Sequence, residues 1–366
     1  MRGKIESQQE LVTIIALESF VPQDHPLRQI KKQLDEVLKT LSPTFDCMYD
    51  EEGRPSIPPE RLLKAKVLIA LYTIRSERLF CEMLQYNLLF RWFLDLEMSE
   101  GTWDASTFSK NQERLLKHHV AVHFFTSVVE LAKCQGWSSQ EHFTVDGTLI
   151  EAWASLKSFA PKGEKPNTDD SDKGNPTVNF HKEKRSNATH QSTTDGEARL
   201  CKKGKGKEAR LAFGAHGLME NRNGLCMDLR IEDAVAVTEG QVAQELLQDH
   251  RIIHEASPKT AGADKGYHNK SFVQGCRKMG IKPHVAPMEK RKVEGLDERT
   301  LRSKGFQTSG RIRKRIEEIF GWIKTVGGFR KTRYRGIERT QMCAYFVAGT
   351  YNLMRMANLS RQASSG

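Results

Sequence analysis

Apolar residues recur every three to four positions through much of the first 140 residues, a period typical of amphipathic helices. The clearest stretch begins just after Pro58, where adjacent prolines favour the start of a helix. Further helices are predicted over 79–93, from about 108, and over 123–135. Short helices with short connections indicate a helical bundle that is compatible with a helix-turn-helix arrangement.

The hydrophobic period changes at residue 141. Residues 142–146 alternate in the manner of a strand, and residues 148–154 are predicted to form its neighbouring strand. Beyond them, strand patterns alternate with helix patterns. The further predicted strands are 212–219, 225–231, 260–264 and 281–286, and the further predicted helices are 241–253, 272–279, 311–325 and 339–358.

Between residues 155 and 210 the chain is polar, and we predict a solvated insertion there rather than a folded module. Several strands followed by alternating strands and helices are typical of an α/β fold with a mixed sheet flanked by helices. The sequence therefore predicts an all-α N-terminal domain over 1–140. An α/β domain over 141–366 would carry the chemistry.

Charge points to the class of partner. The chain has 366 residues, and its 57 Lys and Arg exceed its 46 Asp and Glu to give a net charge of +11. Such a surface attracts polyanions, of which nucleic acid is the first to consider. No apolar run approaches the roughly 20 residues that a bilayer requires, and the chain does not open on a secretory signal. Since the seven cysteines are scattered, we expect reduced thiols in a cytoplasmic protein with no membrane partner and no zinc site.

Two aspartates follow apolar strand patterns. Asp146 ends the predicted strand 142–146, and Asp264 ends the predicted strand 260–264. Strand ends in an open α/β sheet are where functional sites are commonly built. Either aspartate alone is more often a turn or helix-cap residue than a metal ligand.

A third carboxylate comes from the predicted helix 311–325. At about 100° per residue, Glu317 shares a helix face with Arg313 and Lys324, beside the apolar sector, whereas Glu318 points away. An ordinary ion pair between Glu317 and Arg313 is the simpler interpretation of that spacing. Glu318 is interpreted as a solvated surface charge.

The chemistry explains why three acids would converge. Two divalent metal ions about 4 Å apart can activate a water or a 3′-hydroxyl and stabilise the leaving oxygen of a phosphodiester. Mg²⁺ is a hard ion and favours carboxylate ligands, and without metal the three carboxylates would repel one another. Arg313 and Lys324 are suited to holding phosphates beside such a centre.

Seven sequence blocks lie in a recognisable order. Three surround the candidate acids: TVDGT at 144–148, ADKGY at 263–267 and R-x3-E-x6-K at 313–324. The others are IPPERLLK at 57–64, KGKGKE at 203–208, MEN at 219–221 and KTVGGFRK at 324–331. Together, over roughly residues 12–358, they resemble bacterial DDE insertion-sequence transposases of the InsH-like group.

The resemblance implies an RNase H-like catalytic domain in which Asp146, Asp264 and Glu317 bind Mg²⁺, with Mn²⁺ able to substitute. It implies cleavage at the terminal inverted repeats of the element and transfer of the freed 3′ ends to target DNA. Double-stranded DNA would be the partner, for a homodimer in a nucleoid-associated bacterial cytoplasm. The dimer follows from the need to pair two element ends.

One position departs from the family pattern. The Arg, Glu and Lys of a Tyr-Arg-Glu-Lys signature carry over to Arg313, Glu317 and Lys324, but Gly310 stands where the tyrosine would be. A phosphate contact from that tyrosine would have to come from elsewhere, with Tyr267 and Tyr334 as candidates.

Basic residues outside the triad extend the predicted DNA interface. Lys and Arg greatly outnumber Glu between residues 299 and 339, and a second basic tract lies at 202–210. Recognition of a specific end is more typical of a helix in the major groove, for which residues 108–116 are a candidate. Trp153 and Trp322 are expected to be core or hydrophobic docking residues. The predicted DNA contacts are Arg313, Lys324, Lys203, Lys205, Lys207, Arg330, Lys331, Arg333 and Arg335.

Two other functions are compatible with these residues. One is a Mg²⁺-dependent DNA nuclease that cuts without strand transfer. The other is a non-catalytic DNA-binding derivative, against which the presence of all three acids argues. A structural protein has little support, because clustering three acids would destabilise a fold with no return in function.

Overall fold

The computed structural model describes residues 16–49, 52, 56–163, 185–202, 204, 206, 208–255, 257–288 and 292–365. Up to Cys134 the described chain is helical, and from His142 onward it forms a sheet with helices. Across these described ranges no helix is both long and apolar enough to span a membrane.

The first half consists of helices, four of which begin at a residue whose side chain caps the helix. In α4, the Ser76 side chain accepts a hydrogen bond from the backbone N–H of Leu79. Asp104 accepts from the N–H of Ser106 at the start of α6. The helices are α1 Leu17–Phe20, α2 Pro26–Asp46, α3 Pro59–Leu71, α4 Glu77–Tyr86, α5 Leu88–Phe93, α6 Ala105–Lys117 and α7 Val120–Cys134.

The single helix predicted over 79–93 is wrong. Asn87 has an extended backbone, ends α4 and caps α5, because its Oδ1 accepts a hydrogen bond from the N–H of Phe90 at 3.1 Å. An asparagine competes well for backbone donors and therefore favours such a break. The apolar periodicity alone did not reveal it.

A mixed sheet occupies the second half. The strand order is β4-β5-β1-β7-β8, with β6 also paired to β5. β1 pairs antiparallel with β5 and parallel with β7, and β7 pairs parallel with β8. The strands are β1 His142–Glu151, β2 Phe159–Pro161, β3 His190–Ser192, β4 Arg199–Cys201, β5 Arg210–Glu220, β6 Leu225–Glu232, β7 Thr260–Ala263 and β8 Lys282–Val285.

Two strand predictions need correction. β1 runs without a break through Gly147 to Glu151, so 148–154 is a continuation of β1 and not its neighbour. Asp146 therefore lies in mid-strand, opposite Gly217 of β5, and not at a strand end. Asp-Gly-Thr reads as a turn in sequence, but pairing with β5 satisfies its backbone in an extended conformation.

The described parts of the polar insertion contain strands that the sequence did not predict. β2 and β3 form a separate two-stranded sheet, and β4 joins the main sheet against β5. The Asp195 carboxylate, which is almost fully buried, accepts a hydrogen bond from the N–H of Gly336 at 3.1 Å. These described residues are thus attached to the rest of the fold.

Helices cover both faces of the sheet. On one face, α8 packs with the ring of His250 edge-on to Phe143 of β1. On the other, α12 packs with Phe320 against Gly217 of β5. The helix α13 lies along the edge strand β6, where its buried Asn352 hydrogen-bonds the backbone of Cys226 in both directions. The helices are α8 Glu239–His254, α9 Lys270–Lys278, α10 Glu298–Leu301, α11 Lys304–Ile312, α12 Ile316–Lys324 and α13 Ile337–Ser365.

The long helix α13 also joins the two halves of the chain. The ring of Phe346 lies 5.6 Å from that of Phe124 on α7. Gly349 lets the two helices approach closely, since a Cβ there would lie 2.5 Å from Cε1 of Phe124. The apolar residues of both halves consequently form one continuous core.

Candidate active site

Asp146 projects from the centre of β1 into a partly buried position. Its Oδ1 accepts a hydrogen bond from the N–H of Gly147 at 2.8 Å. Burial raises the pKa of Asp146 from 3.8 to about 6, and the negative charges of Asp264 and Glu239 add to the rise. Arg313 acts in the opposite direction. Asp146 thus stands among like charges, which a bound cation would relieve.

Asp264 lies immediately after β7, beside Asp146. Its position follows from the parallel pairing of β1 and β7, in which Thr144 is opposite Gly262. The Oδ1 atom accepts a hydrogen bond from the N–H of Gly266 at 2.7 Å and caps a 3₁₀ turn over Lys265–Tyr267. A Cβ at Gly266 would lie 2.9 Å from that oxygen, so a larger residue there would displace the Asp264 carboxylate.

Glu317 reaches the same place from α12. A cavity of about 170 Å³ is lined by Asp146, Asp264 and Glu317 together. Glu318 is absent from its lining. The remaining lining residues are Thr144, Val145, Arg313, Lys314 and Ile316.

The continuous helix predicted over 311–325 is wrong, although the choice of glutamate agrees with the cavity lining. The chain forms α11, then a 3₁₀ turn over Arg313–Arg315, then α12. A 3₁₀ turn has about 3.0 residues per turn, whereas the helical wheel assumed 100° per residue. The angle predicted between Arg313 and Glu317 is therefore not the angle in the structure. Arg313 and Glu317 both line the cavity, whereas Lys324 donates a hydrogen bond to the Thr148 hydroxyl of β1.

The chemistry of the donors fits a hard cation, because the acids that line the cavity offer carboxylate oxygens only. Within the described ranges, no three His, Cys, Asp or Glu side chains are grouped closely enough to hold a metal ion. Joint coordination by Asp146, Asp264 and Glu317 therefore requires their side chains to draw together.

Residues that the sequence did not indicate as part of a site lie on the other side of the aspartates. A Cβ on Gly147 would lie 3.1 Å from Oε1 of Glu239 and 3.3 Å from Nδ1 of His216. Burial raises the pKa of Glu239, and Asp264 adds to this rise. Tyr267 is 1% exposed, and its hydroxyl has no hydrogen-bond partner among the described residues. Glu239 opens a helix, and nothing in its sequence context indicated a site.

The candidate DNA contacts have different surroundings. A basic strip of exposed residues follows α12: Arg330, Lys331, Arg333 and Arg335. Lys203, Lys205 and Lys207 lie outside the described residues. The candidate recognition helix lies within α6, but Asn111 and Gln112 are buried and do not face solvent.

The two tryptophans also differ. Trp322 packs edge-on against Tyr351 with ring centroids 5.5 Å apart. Trp153 is 50% exposed, so the expectation of a core position for it is wrong. Its ring lies 5.7 Å from Nζ of Lys331. Of the two alternatives expected for Trp153, only hydrophobic docking is compatible with this exposure.

Solved transposase structures align with this chain only at low identity and low TM-score. The solved piggyBac transposase synaptic complex with hairpin DNA aligns at 9% identity and a TM-score of 0.39, covering 92% of this chain and 76% of that chain. The Mos1 transposase paired-end complex with left transposon end aligns at 10% identity and a TM-score of 0.21, covering 77% of this chain and 82% of that chain. No curated protein matches the chain.

Family assignment rests on two matches in sequence. Residues 15–114 match the family described as Transposase domain (DUF772). Residues 137–353 match the family described as Transposase DDE domain, and this segment is more than half of the chain. The chain belongs to the DDE transposase family.

Proposed function

We propose that the protein binds the terminal inverted repeats of its own insertion sequence, cleaves phosphodiester bonds there and transfers the 3′ ends to target DNA. The observation that carries this proposal is the single cavity lined by Asp146, Asp264 and Glu317. Membership of the DDE transposase family supports it. The catalytic half would be RNase H-like and of the InsH-like group.

Asp146, Asp264 and Glu317 would hold the metal, Mg²⁺ or Mn²⁺. When bound, such ions supply Lewis-acid activation of a water or 3′-hydroxyl and stabilisation of the leaving oxygen. Burial is the main cause of the raised pKa of Asp146, and the negative charges of Asp264 and Glu239 add to it, so a bound cation would be stabilised there. The backbone N–H of Gly147 fixes the orientation of its carboxylate.

Cations around the acids would position the DNA backbone. Arg313 and Lys314 line the cavity and can contact phosphates on either side of the cleaved bond. Lys324 is held to Thr148 and would act mainly through the position of β1. Tyr267 is a poor replacement for a phosphate-binding tyrosine, since its hydroxyl is buried among the carboxylates.

The wider DNA surface would include Arg330, Lys331, Arg333 and Arg335, with Lys203, Lys205 and Lys207 as further contacts. The net charge of +11 favours such a surface. We further propose a helical end-binding or dimerisation domain over 1–140, a catalytic domain over 141–366, and a homodimer that pairs two ends in a bacterial cytoplasm.

The test uses purified protein, Mg²⁺ and labelled duplex carrying the native element end. Cleavage at the end and joining to a second DNA are expected for the wild type. Both should be lost in Asp146→Asn, Asp264→Asn and Glu317→Gln. Glu318→Gln is the matched control and should retain both.

Each alternative gives a different outcome. Cleavage without joining would indicate the nuclease. Tight binding without cleavage would indicate the non-catalytic DNA-binding derivative. Cleavage that survives Glu317→Gln would show that another acid completes the site.

A further inference from the structure

The basic strip at residues 330–335 is held at both of its ends by hydrogen bonds to its backbone. At its start, the N–H of Glu151 donates to the carbonyl of Arg330 at 3.0 Å, and the N–H of Thr332 donates to the carbonyl of Glu151 at 2.8 Å. These bonds form a parallel bridge to the last residue of β1. The strip is therefore attached to the strand that carries Asp146.

At its other end the strip is held by two acids of the polar insertion. The Asp195 carboxylate accepts a hydrogen bond from the N–H of Gly336 at 3.1 Å, and the Glu197 carboxylate accepts one from the N–H of Ile337 at 2.8 Å. Gly336 has a φ of +83°, and a Cβ there would lie 2.8 Å from Oε2 of Glu197. A glycine thus lets the chain turn into α13 directly beside both carboxylates.

Asp195 is itself built into the insertion. It is 5% exposed, and its second oxygen accepts a hydrogen bond from the N–H of Glu197 at 3.2 Å. Its own N–H donates to the hydroxyl of Ser192 on β3 at 3.0 Å. Because both oxygens of this buried carboxylate are used, releasing the strip would leave buried polar groups without partners, which is costly.

The side chains of the strip point in two directions. Thr332 is 1% exposed, and its hydroxyl lies 3.2 Å from the hydroxyl of Thr340 on α13. The four cations of the basic strip, in contrast, are all exposed. A strip whose backbone is already fixed loses less conformational freedom when its cations bind a ligand.

Carboxylates beside a basic strip have a second interpretation, in which they imitate DNA phosphates and keep the strip away from DNA. Acids with that role would contact the cationic side chains and would be free to leave. Asp195 instead is buried and accepts hydrogen bonds from backbone N–H groups. Its contacts favour holding the strip over blocking it.

We propose that Asp195 and Glu197 are positioning residues that hold the basic strip in the conformation that contacts phosphates of the element end. The inference rests on the proposed function, in which the strip binds DNA. From Asp146 to Glu151, β1 extends about 17 Å at roughly 3.4 Å per residue. Because DNA also advances about 3.4 Å per nucleotide, the strip should contact phosphates about five nucleotides from the cleaved bond.

The first measurement is the affinity of the full-length protein for element-end duplex, followed by anisotropy in EDTA between about 50 and 200 mM salt. Asp195→Asn places an amide N–H₂ group against one of two backbone donors. It should weaken binding about tenfold and make the slope of log K against log salt shallower by about two. Glu338→Gln removes the same charge from an exposed side chain beside the strip, and should bind as tightly as the wild type or more tightly.

A second measurement locates the contact on the DNA. Each duplex carries one uncharged methylphosphonate within about ten phosphates of the cleaved bond, and wild-type affinity should fall about threefold or more near the fifth phosphate. This position-specific fall should disappear in Asp195→Asn and in Glu197→Ala. Glu197→Gln should behave as the wild type, because its amide oxygen can still accept the hydrogen bond from the N–H of Ile337.

Melting temperatures of all variants are measured alongside, because Asp195 is buried. Glu197 is exposed, and its two variants keep the test decisive if Asp195→Asn unfolds. A wild-type profile without a position-specific fall, or an unchanged profile in Glu197→Ala, would overturn the inference and leave the proposed function intact. Tighter binding by Glu197→Ala than by Glu338→Gln would also overturn it, because the acids would then block the strip. Wild-type protein that neither binds nor cleaves the element end would overturn both.

Discussion

Replacing Asp146 by asparagine should make the metal-free protein more stable. Burial and the charges of Asp264 and Glu239 raise the pKa of Asp146 from 3.8 to about 6. The ionised carboxylate is therefore less favourable in the folded chain than in the unfolded chain. Asparagine removes the charge and can still accept the hydrogen bond from the N–H of Gly147.

The size of the effect follows from the pKa values. A rise in the pKa of Asp146 from 3.8 to about 6 means that the ionised carboxylate destabilises the folded chain by about 3 kcal/mol at pH 7.5. Solvent screening at this partly exposed side chain reduces the expected gain to about 1–2 kcal/mol. Because the pKa is higher in the folded chain, this destabilisation is absent below pH 3.8, where the carboxyl is protonated in both states, and complete above pH 6. The gain should therefore fall to about half at pH 5.

The assay is urea unfolding in EDTA at pH 7.5 and pH 5, with Asp146→Asn compared with the wild type. Asp297→Asn is a suitable control, because hydrogen bonds from Thr300 lower the pKa of that exposed carboxyl, whereas the pKa of Asp146 is raised. Asp297→Asn should therefore not stabilise the protein. Saturating Mg²⁺ should stabilise the wild type and reduce the difference. Equal or lower stability of Asp146→Asn at pH 7.5 would refute the reasoning.

Three further outcomes are expected. Gly349→Ala should lower the free energy of unfolding, measured in urea, by about 1–3 kcal/mol, because the new Cβ would lie 2.5 Å from a phenylalanine ring of α7. Gly321→Ala, with open space around it, should be neutral or slightly stabilising. Burial lowers the pKa of His250 to about 3, so between pH 7 and pH 5 this histidine takes up a proton only in the unfolded chain. The free energy of unfolding should therefore fall by about 2 kcal/mol more for the wild type than for His250→Phe over this range. Equal falls in the two proteins would contradict this. Gly266→Ala should lower Mn²⁺ affinity about tenfold by displacing Asp264, with little change in melting temperature.

Much of the sheet-containing half was predictable because its strands and helices have clear hydrophobic periods. The predicted strands at 212–219 and 225–231 correspond to β5 and β6. The error at Asp146 arose because Asp-Gly is locally a turn signal, while pairing of β1 with β5 decided its conformation. Long-range pairing of this kind is not encoded in the neighbouring residues.

The three acids of the candidate site could be selected from the sequence, but the residues around them could not. Asp146, Asp264 and Glu317 belong to recognisable blocks, and they line one cavity. Glu239 could not be predicted, because only the packing of α8 against β1 brings it beside Gly147. The 3₁₀ turn before α12 was likewise hidden, since its residues continue the helical pattern.

Metal binding by the three acids is the most direct test of the account. Mn²⁺ affinity is measured by electron paramagnetic resonance on the full-length protein bound to element-end DNA. Asp146→Asn, Asp264→Asn and Glu317→Gln should each weaken binding about tenfold or more, and Glu318→Gln should not. Wild-type affinity in Glu317→Gln, together with a loss in Glu239→Gln, would contradict the assignment of Glu317 and make Glu239 the third ligand.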